Sequence, residues 1–242
     1  MTAEDRKRIQ DQLYERAKSL EKGTGTGKPD LEGAIMWYEN AAKMGSAEAM
    51  LDLGVLYSKR GNLERAYFWI LEAALAGKTR AWYDLGLMYF KGMYVHQDYE
   101  KAYDYFFRAY RAGDELSCYY LGFYAEKGFI GESNLEKAIS YYREGTRRGD
   151  GACALNLGCL YDMGKGVPQN RNISMNLYRT AYKQGNSVAC YNLGLYYEEG
   201  RACPKDPKQA LIYYMEGAKK GENNCMKAVV RLVDKGGMSI GQ

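Results

Sequence analysis

Residues 119–149 read YYLGFYAEKGFIGESNLEKAISYYREGTRRG, an aromatic segment holding Leu121-Gly122, a glycine-broken loop, a second amphipathic segment and a closing glycine. The same order recurs along the chain. Leu-Gly pairs stand at Leu53-Gly54, Leu85-Gly86, Leu121-Gly122, Leu157-Gly158 and Leu193-Gly194, spaced 32, 36, 36 and 36 residues apart. Glycines 45, 77, 113, 149, 185 and 221 keep the same step. A fixed period of this length marks a stacked repeat array, in which each unit buries its apolar face on its neighbours. The expected fold is therefore an all-α solenoid of antiparallel helix pairs forming one array over residues 1–242. Its expected parts are an N-terminal helix at 3–21, a degenerate repeat at 30–45, and full repeats at 46–77, 78–113, 114–149, 150–185 and 186–221. A capping helix at 222–236 completes it.

Local signals agree with this division. Asp30, Asn62, Asp98, Asn134, Asn170 and Asp206 hold one slot in successive repeats, and their side-chain oxygens suit the N-cap of the second helix (helix B). Ser46, Asp114, Asp150 and Asn186 suit the same role on the first helix (helix A), while Lys78 and Glu222 are weaker there. The closing glycines fit a left-handed helix stop. Helix B carries a small residue followed by rings, as in Ala34/Trp37/Tyr38, Ala66/Trp69, Ala102/Tyr105/Phe106, Ala138/Tyr141/Tyr142 and Ala210/Tyr213/Tyr214, with Ser174 in the small slot of one repeat. Ile9, Leu13, Ala17 and Leu20 give the first helix its apolar side.

Composition narrows the function. The chain has 242 residues, a net charge of +4 without a long basic run, and 4 prolines. Nucleic-acid binding needs a concentrated basic stripe and is not expected. MTAEDRKRIQDQ lacks the apolar core of a signal peptide and no stretch suits a membrane span, so a cytoplasmic protein is expected. The 6 cysteines do not form a dense disulfide framework. Cys118 and Cys190 share one helix-A slot and Cys153 and Cys225 the slot before it; alanine or serine fills these slots elsewhere, so they read as small core thiols.

With LGLMYFKGMYVHQDYEKAYDYF, LGCLYDMGKGVPQNRN and LGLYYEEGRACPKDPKQALIYY set side by side, the chain resembles the Sel-1-like repeat family, relatives of tetratricopeptide repeats. The resemblance covers about five full repeats and a degenerate one. It implies a right-handed superhelix with A helices lining a concave face, and a role as adaptor or scaffold for protein partners. A cysteine-rich bacterial branch of that family has disulfides and has been reported to bind or hydrolyse β-lactams. The helix-B ends here, YENAAKMG, FRAYRAG and RTAYKQG, lack that branch's cysteine, which argues against both properties.

Enzyme signals are thin. His96 is the only histidine, in a loop. GTGTGKPD at 23–30 fails the phosphate-loop spacing, since Lys22 and Pro29 stand where that motif needs glycine and a hydroxyl residue. Ser19 and Lys22 match S-x-x-K without its companion elements. No catalytic residue, metal ligand or cofactor is expected. The informative feature is the side of helix A opposite the core set Trp82, Leu85, Gly86 and Tyr89. It is apolar where water would favour polar residues: Leu51 and Val55, then Tyr83, Leu87 and Phe90, Tyr119 and Phe123, Leu155 and Cys159, then Val188, Tyr191 and Leu195. Asn156 and Asn192 stand beside it as donors and acceptors for a peptide backbone. The expected function is a non-catalytic scaffold that binds a protein or peptide in this groove. A β-lactam-directed enzyme and a purely structural spacer are the rival readings; the sequence leaves the oligomeric state open.

Overall fold

A computed structural model describes residues 2–23 and 27–236. The middle of the glycine loop, residues 24–26, and the tail 237–242, expected to be disordered, lie outside the described residues. Among the described residues all regular structure is helical. The chain divides into two compact units, Met1–Ser117 and Cys118–Gln242.

In the first unit, α1 (Ala3–Lys22) packs on α2 (Leu31–Lys43), α3 (Ala47–Lys59) on α4 (Leu63–Leu75), and α5 (Thr79–Lys91) on α6 (Tyr99–Arg111). Each second helix also touches the next first helix, α2 on α3 and α4 on α5. The second unit repeats the scheme with α7 (Ser117–Lys127), α8 (Leu135–Arg148), α9 (Gly151–Met163), α10 (Arg171–Lys183), α11 (Val188–Glu199), α12 (Pro207–Lys219) and α13 (Asn223–Gly236). The sequence pattern predicts a separate N-terminal helix ahead of a degenerate first repeat. Instead α1 is the A helix of a complete pair, with buried Ala17 where later repeats carry glycine. The leucine-glycine signature is absent from α1, which hid its role.

All six expected helix-B caps form. The side chains of Asp30, Asn62, Asp98, Asn134, Asn170 and Asp206 accept the backbone N–H three residues on, satisfying an otherwise orphan donor. On the A helices Ser46 and Asp150 cap directly. Asp114 accepts from the Ser117 N–H at 2.9 Å, and Asn186 from the Val188 N–H at 3.0 Å; Lys78 makes no side-chain cap bond. Gly45 at φ 97° and Gly149 at φ 98° show why glycine ends each pair: a side chain there would be strained.

The glycine of each Leu-Gly pair lets two helices approach. A Cβ on Gly86 would lie 2.7 Å from the Phe106 ring, on Gly122 2.5 Å from Tyr142, and on Gly194 2.3 Å from Tyr214, all closer than atoms can pack. The preceding leucines, Leu53, Leu85, Leu121, Leu157 and Leu193, are buried beside them. A second small-residue contact lies where helix B meets the following helix A. Alanine supplies it at Ala41, Ala73, Ala109 and Ala181, all fully buried, and glycine at Gly145 and Gly217. Cysteines flank those two glycines: a Cβ on Gly145 would meet Cys153 Sγ at 2.2 Å and Cys118 Cβ at 2.8 Å, and on Gly217 it would meet Cys225 Sγ at 2.3 Å and Cys190 Cβ at 2.9 Å. A cysteine on one side is thus matched by loss of a methyl on the other, as dense cores require. None of the cysteines is in a disulfide. Burial, with the Asp150 carboxylate beside it, pushes the Cys153 thiol up, and burial pushes Cys225 to about 12, so both remain protonated thiols at neutral pH.

Candidate functional site: the A-helix faces

Two slots frame the candidate face in each unit, two residues before and two after the leucine of each Leu-Gly pair. At about 100° per residue both lie roughly opposite that leucine. In the first unit they hold Leu51 and Val55, then Tyr83 and Leu87; in the second Tyr119 and Phe123, Leu155 and Cys159, then Tyr191 and Leu195. All are half-buried except Tyr83. Tyr119 and Phe123 stack within one turn of α7, ring centres 6.1 Å apart. Val188, at the start of α11, is exposed.

The structure revises several positions. Tyr83 is only 9% exposed: its ring lies 5.7 Å from Phe106, and the Arg80 guanidinium covers it at 4.5 Å. It is floor rather than rim. Trp82, expected in the core, is half-buried, stacked on Tyr105 at 5.8 Å with Arg108 above it. Tyr89 is likewise half-buried, its hydroxyl 3.1 Å from that of Tyr67. Phe90 stands five residues after its leucine, in a different slot from the others, and packs on Tyr99 at 5.6 Å. Asn156 spends one N–H on the Ala152 carbonyl of its own helix at 2.8 Å, whereas Asn192 lines a cavity of about 30 Å³ with Asp162, Tyr178, Leu195, Tyr196 and Arg201. That volume holds about one water.

Further residues of these faces lie outside the sequence-predicted set. Asn156 and Asn192 occupy the slot just before the leucine; in the first unit it holds Asp52 and Asp84. Asp52 accepts from Tyr14 Oη at 2.7 Å. Asp84 is mostly buried, and burial raises its carboxyl to about 6, against the pull of Arg80 3.4 Å away. The slot five after the leucine is acidic throughout the second unit. There Glu126 accepts from Tyr142 Oη at 3.1 Å and pairs with Lys165 at 3.0 Å; Asp162 accepts from Tyr196 Oη at 2.7 Å and pairs with Arg201 at 3.5 Å. Glu198 accepts from Tyr214 Oη at 2.8 Å and holds Arg231 with both oxygens. Burial disfavours the Glu126 carboxylate, but Lys165 and Tyr142 outweigh it and hold its pKa below the usual glutamate value. Each base comes from the next repeat, so these bonds tie neighbours together. Their spacing of 36 residues was readable in the sequence; their pairing with tyrosine hydroxyls was not.

For chemistry the faces offer little. His96 is exposed after α5, and no cluster of three or more metal-ligating side chains occurs among the described residues. No helix among the described residues is long and apolar enough to cross a membrane.

Comparison with known proteins fits this architecture. No curated protein matches the chain. A Sel1 repeat protein from Oxalobacter formigenes superimposes with a TM-score of 0.80 at 27% identity, over 90% of this chain and 88% of that one. A protective antigen of uropathogenic Escherichia coli with an SLR fold gives 0.74 at 29% identity over 98% of this chain; the chain spans 52% of that antigen's length. An immunity protein from Pseudomonas aeruginosa, at 18% identity and a TM-score of 0.59, shares the fold over 95% of this chain and 88% of its own. The Sel1 repeat profile matches residues 13–46, 47–78, 80–114, 116–150, 151–186 and 187–222. Its first match begins inside α1 and so takes that helix as part of a repeat. With six matches running through nearly all of the helical pairs, this chain belongs to the Sel1 repeat family.

Proposed function

We propose that the chain is a non-catalytic scaffold that holds an extended protein segment against its A-helix faces. The supporting observation is the recurrence of half-buried apolar residues in both slots of α3, α7, α9 and α11, and in one slot of α5, where a merely solvated helix side would be polar. Polar groups one residue away, Asn192 above all, suit the backbone of a bound segment, and aromatic floors such as Tyr119 and Phe123 suit its apolar side chains. Partners are protein or peptide; nucleic acid, metal and cofactor have no part in this reading.

A displayed random-peptide library tests it. The wild-type chain should select a family of sequences with a shared apolar spacing. Replacing both Tyr119 and Phe123 with alanine should weaken the selected peptides by roughly 2–4 kcal/mol, since central rings dominate such contacts. Tyr142→Ala is the control: this ring is fully buried, and its loss should cost about 3–5 kcal/mol of stability. Failure to select any peptide, or a double variant that melts as low as the Tyr142 variant, refutes the groove. Hydrolysis of a chromogenic β-lactam would refute the non-catalytic part.

A further inference from the structure

The outer sides of the B helices share a charge pattern that one helix breaks. An acid lies near the start of α2, α4 and α6, at Glu32, Glu64 and Glu100, and a base in the last turn of every B helix but one: Lys43, Arg111, Arg147, Lys183 and Lys219. These signs complement the helix dipole. In α4 the basic slot holds Leu75, which is 67% exposed. Two turns earlier Phe68 is 52% exposed, in the slot that holds Asp104, Ser140 and Asn176 in α6, α8 and α10. Met36 of α2 and Ile212 of α12 are the other apolar residues of that slot. Glu64, Phe68, Leu71 and Leu75 follow four-, three- and four-residue spacing, so they fall on one side of α4. Between α2 and α4 a depression of about 440 Å³ is lined by Glu39, Lys43, Glu64, Arg65, Phe68 and Trp69.

An exposed apolar strip on a B helix serves neither the repeat core nor the groove, and large exposed apolar patches mark interaction sites. Its flanks indicate what covers it. With acid at one end and base at the other on the neighbouring helices, the surface is complementary to itself when turned end for end. A second copy laid across it with its helices antiparallel puts strip on strip. It also brings Glu100 of one copy toward Arg111 of the other, and Lys43 toward Glu32, whose carboxylate is shared with Arg60 of its own chain. A two-fold interface requires such a self-complementary patch. We propose that the outer side of α4 is a homodimer interface, with Phe68 and Leu75 as its apolar centre and the α2 and α6 charges as its register. Because it lies on the B helices, it stands or falls independently of the groove.

The test is sedimentation velocity on the full chain from about 1 to about 200 µM, the range suited to a small interface. The wild type should shift from monomer to dimer across it. Leu75→Lys, which restores the residue type of the other repeats, and Phe68→Asp, which copies α6, should each weaken dimerisation by roughly tenfold or more. Both side chains are exposed, so melting temperature should hardly change. Glu100→Arg should also weaken it, and adding Arg111→Glu should restore it, because the swap rebuilds the pair only between two copies of the same chain. A wild type that stays monomeric throughout, a dimer unaffected by both apolar substitutions, or a charge swap that fails to rescue overturns the proposal.

Discussion

In Met1–Ser117 the region around the end of α5 is built of rings. Tyr67, Tyr89, Tyr94, Tyr105 and Trp82 lie with neighbouring centres 5.4–6.3 Å apart, and Lys101 and Arg108 sit over ring faces. In Cys118–Gln242 the corresponding helix ends carry Glu126, Asp162 and Glu198, each held by a tyrosine hydroxyl and a base from the next repeat. The glycine contact between helices is common to both units, whereas the chemistry at the end of α5 differs from that at α7, α9 and α11; α1 sides with the latter, since Glu21 accepts from Tyr38 Oη at 2.8 Å and lies 3.9 Å from Lys59 Nζ. Ring clusters hold mainly through apolar burial and stacking, which salt and pH touch little; charge-assisted bonds answer directly to pH and ionic strength. A repeat therefore constrains packing tightly and leaves the polar chemistry at its margins open to change.

Six substitutions sharpen this contrast. Gly86→Leu in the first unit and Gly194→Leu in the second should each destabilise by up to about 3 kcal/mol, because each forces a side chain into a ring. Chemical denaturation should give similar losses; a loss in one unit alone would show that the common contact is not equivalent.

Asp84 should impose a pH dependence peculiar to the first unit. Its carboxyl is raised from 3.8 to about 6, so between these values the folded chain binds more protons than the unfolded one. Stability should accordingly rise as pH falls from about 6 toward 4, with a contribution on the order of 2–3 kcal/mol. Asp84→Asn should flatten that portion of the stability–pH curve. Glu126 has the opposite sign: its depressed pKa stabilises above the ordinary glutamate value and the benefit is lost as pH falls below it. An Asp84→Asn curve that parallels the wild type would remove the contrast.

Gly145→Ala should cost about 1–3 kcal/mol, since the new methyl meets Cys153 Sγ. Adding Cys153→Ala, which copies Ala81 in the same slot, should recover part of it, because the Sγ overlap goes while the Cys118 Cβ contact stays. Additive losses in the double-mutant cycle would show that the two residues do not share the space. The smallest effect belongs to the ladder: Lys165→Ala should cost about 0.5–1 kcal/mol at low salt and less in molar salt.

Much of this was legible in the chain. The Leu-Gly spacing and the Asp/Asn slot gave helix pairs and caps because both depend on local rules: close approach needs glycine, and a first turn needs an acceptor. The apolar slots on the far side of helix A followed from helical periodicity alone. Tyr83 was misplaced because its burial depends on Phe106 and Arg80, which periodicity does not see. Trp82 looked like core because it is large and apolar, yet it is half-buried beneath Arg108. Asp52 and Asp84 share the slot of Asn156 and Asn192, but the residue type changes along the chain, with Tyr120 between them, which hides the equivalence.

The Cys–Gly–Cys contacts bear on how such a chain arises. Cys118, Gly145 and Cys153 recur as Cys190, Gly217 and Cys225, each displaced by 72 residues, two repeats. A mutation from alanine to cysteine beside an alanine would overfill the contact, and glycine alone would leave a gap, so each intermediate is less fit than either end. The simplest history crosses that valley once and then copies the result, by duplication of a two-repeat block. For this pair of contacts the unit of inheritance would span two repeats, twice the unit of structure.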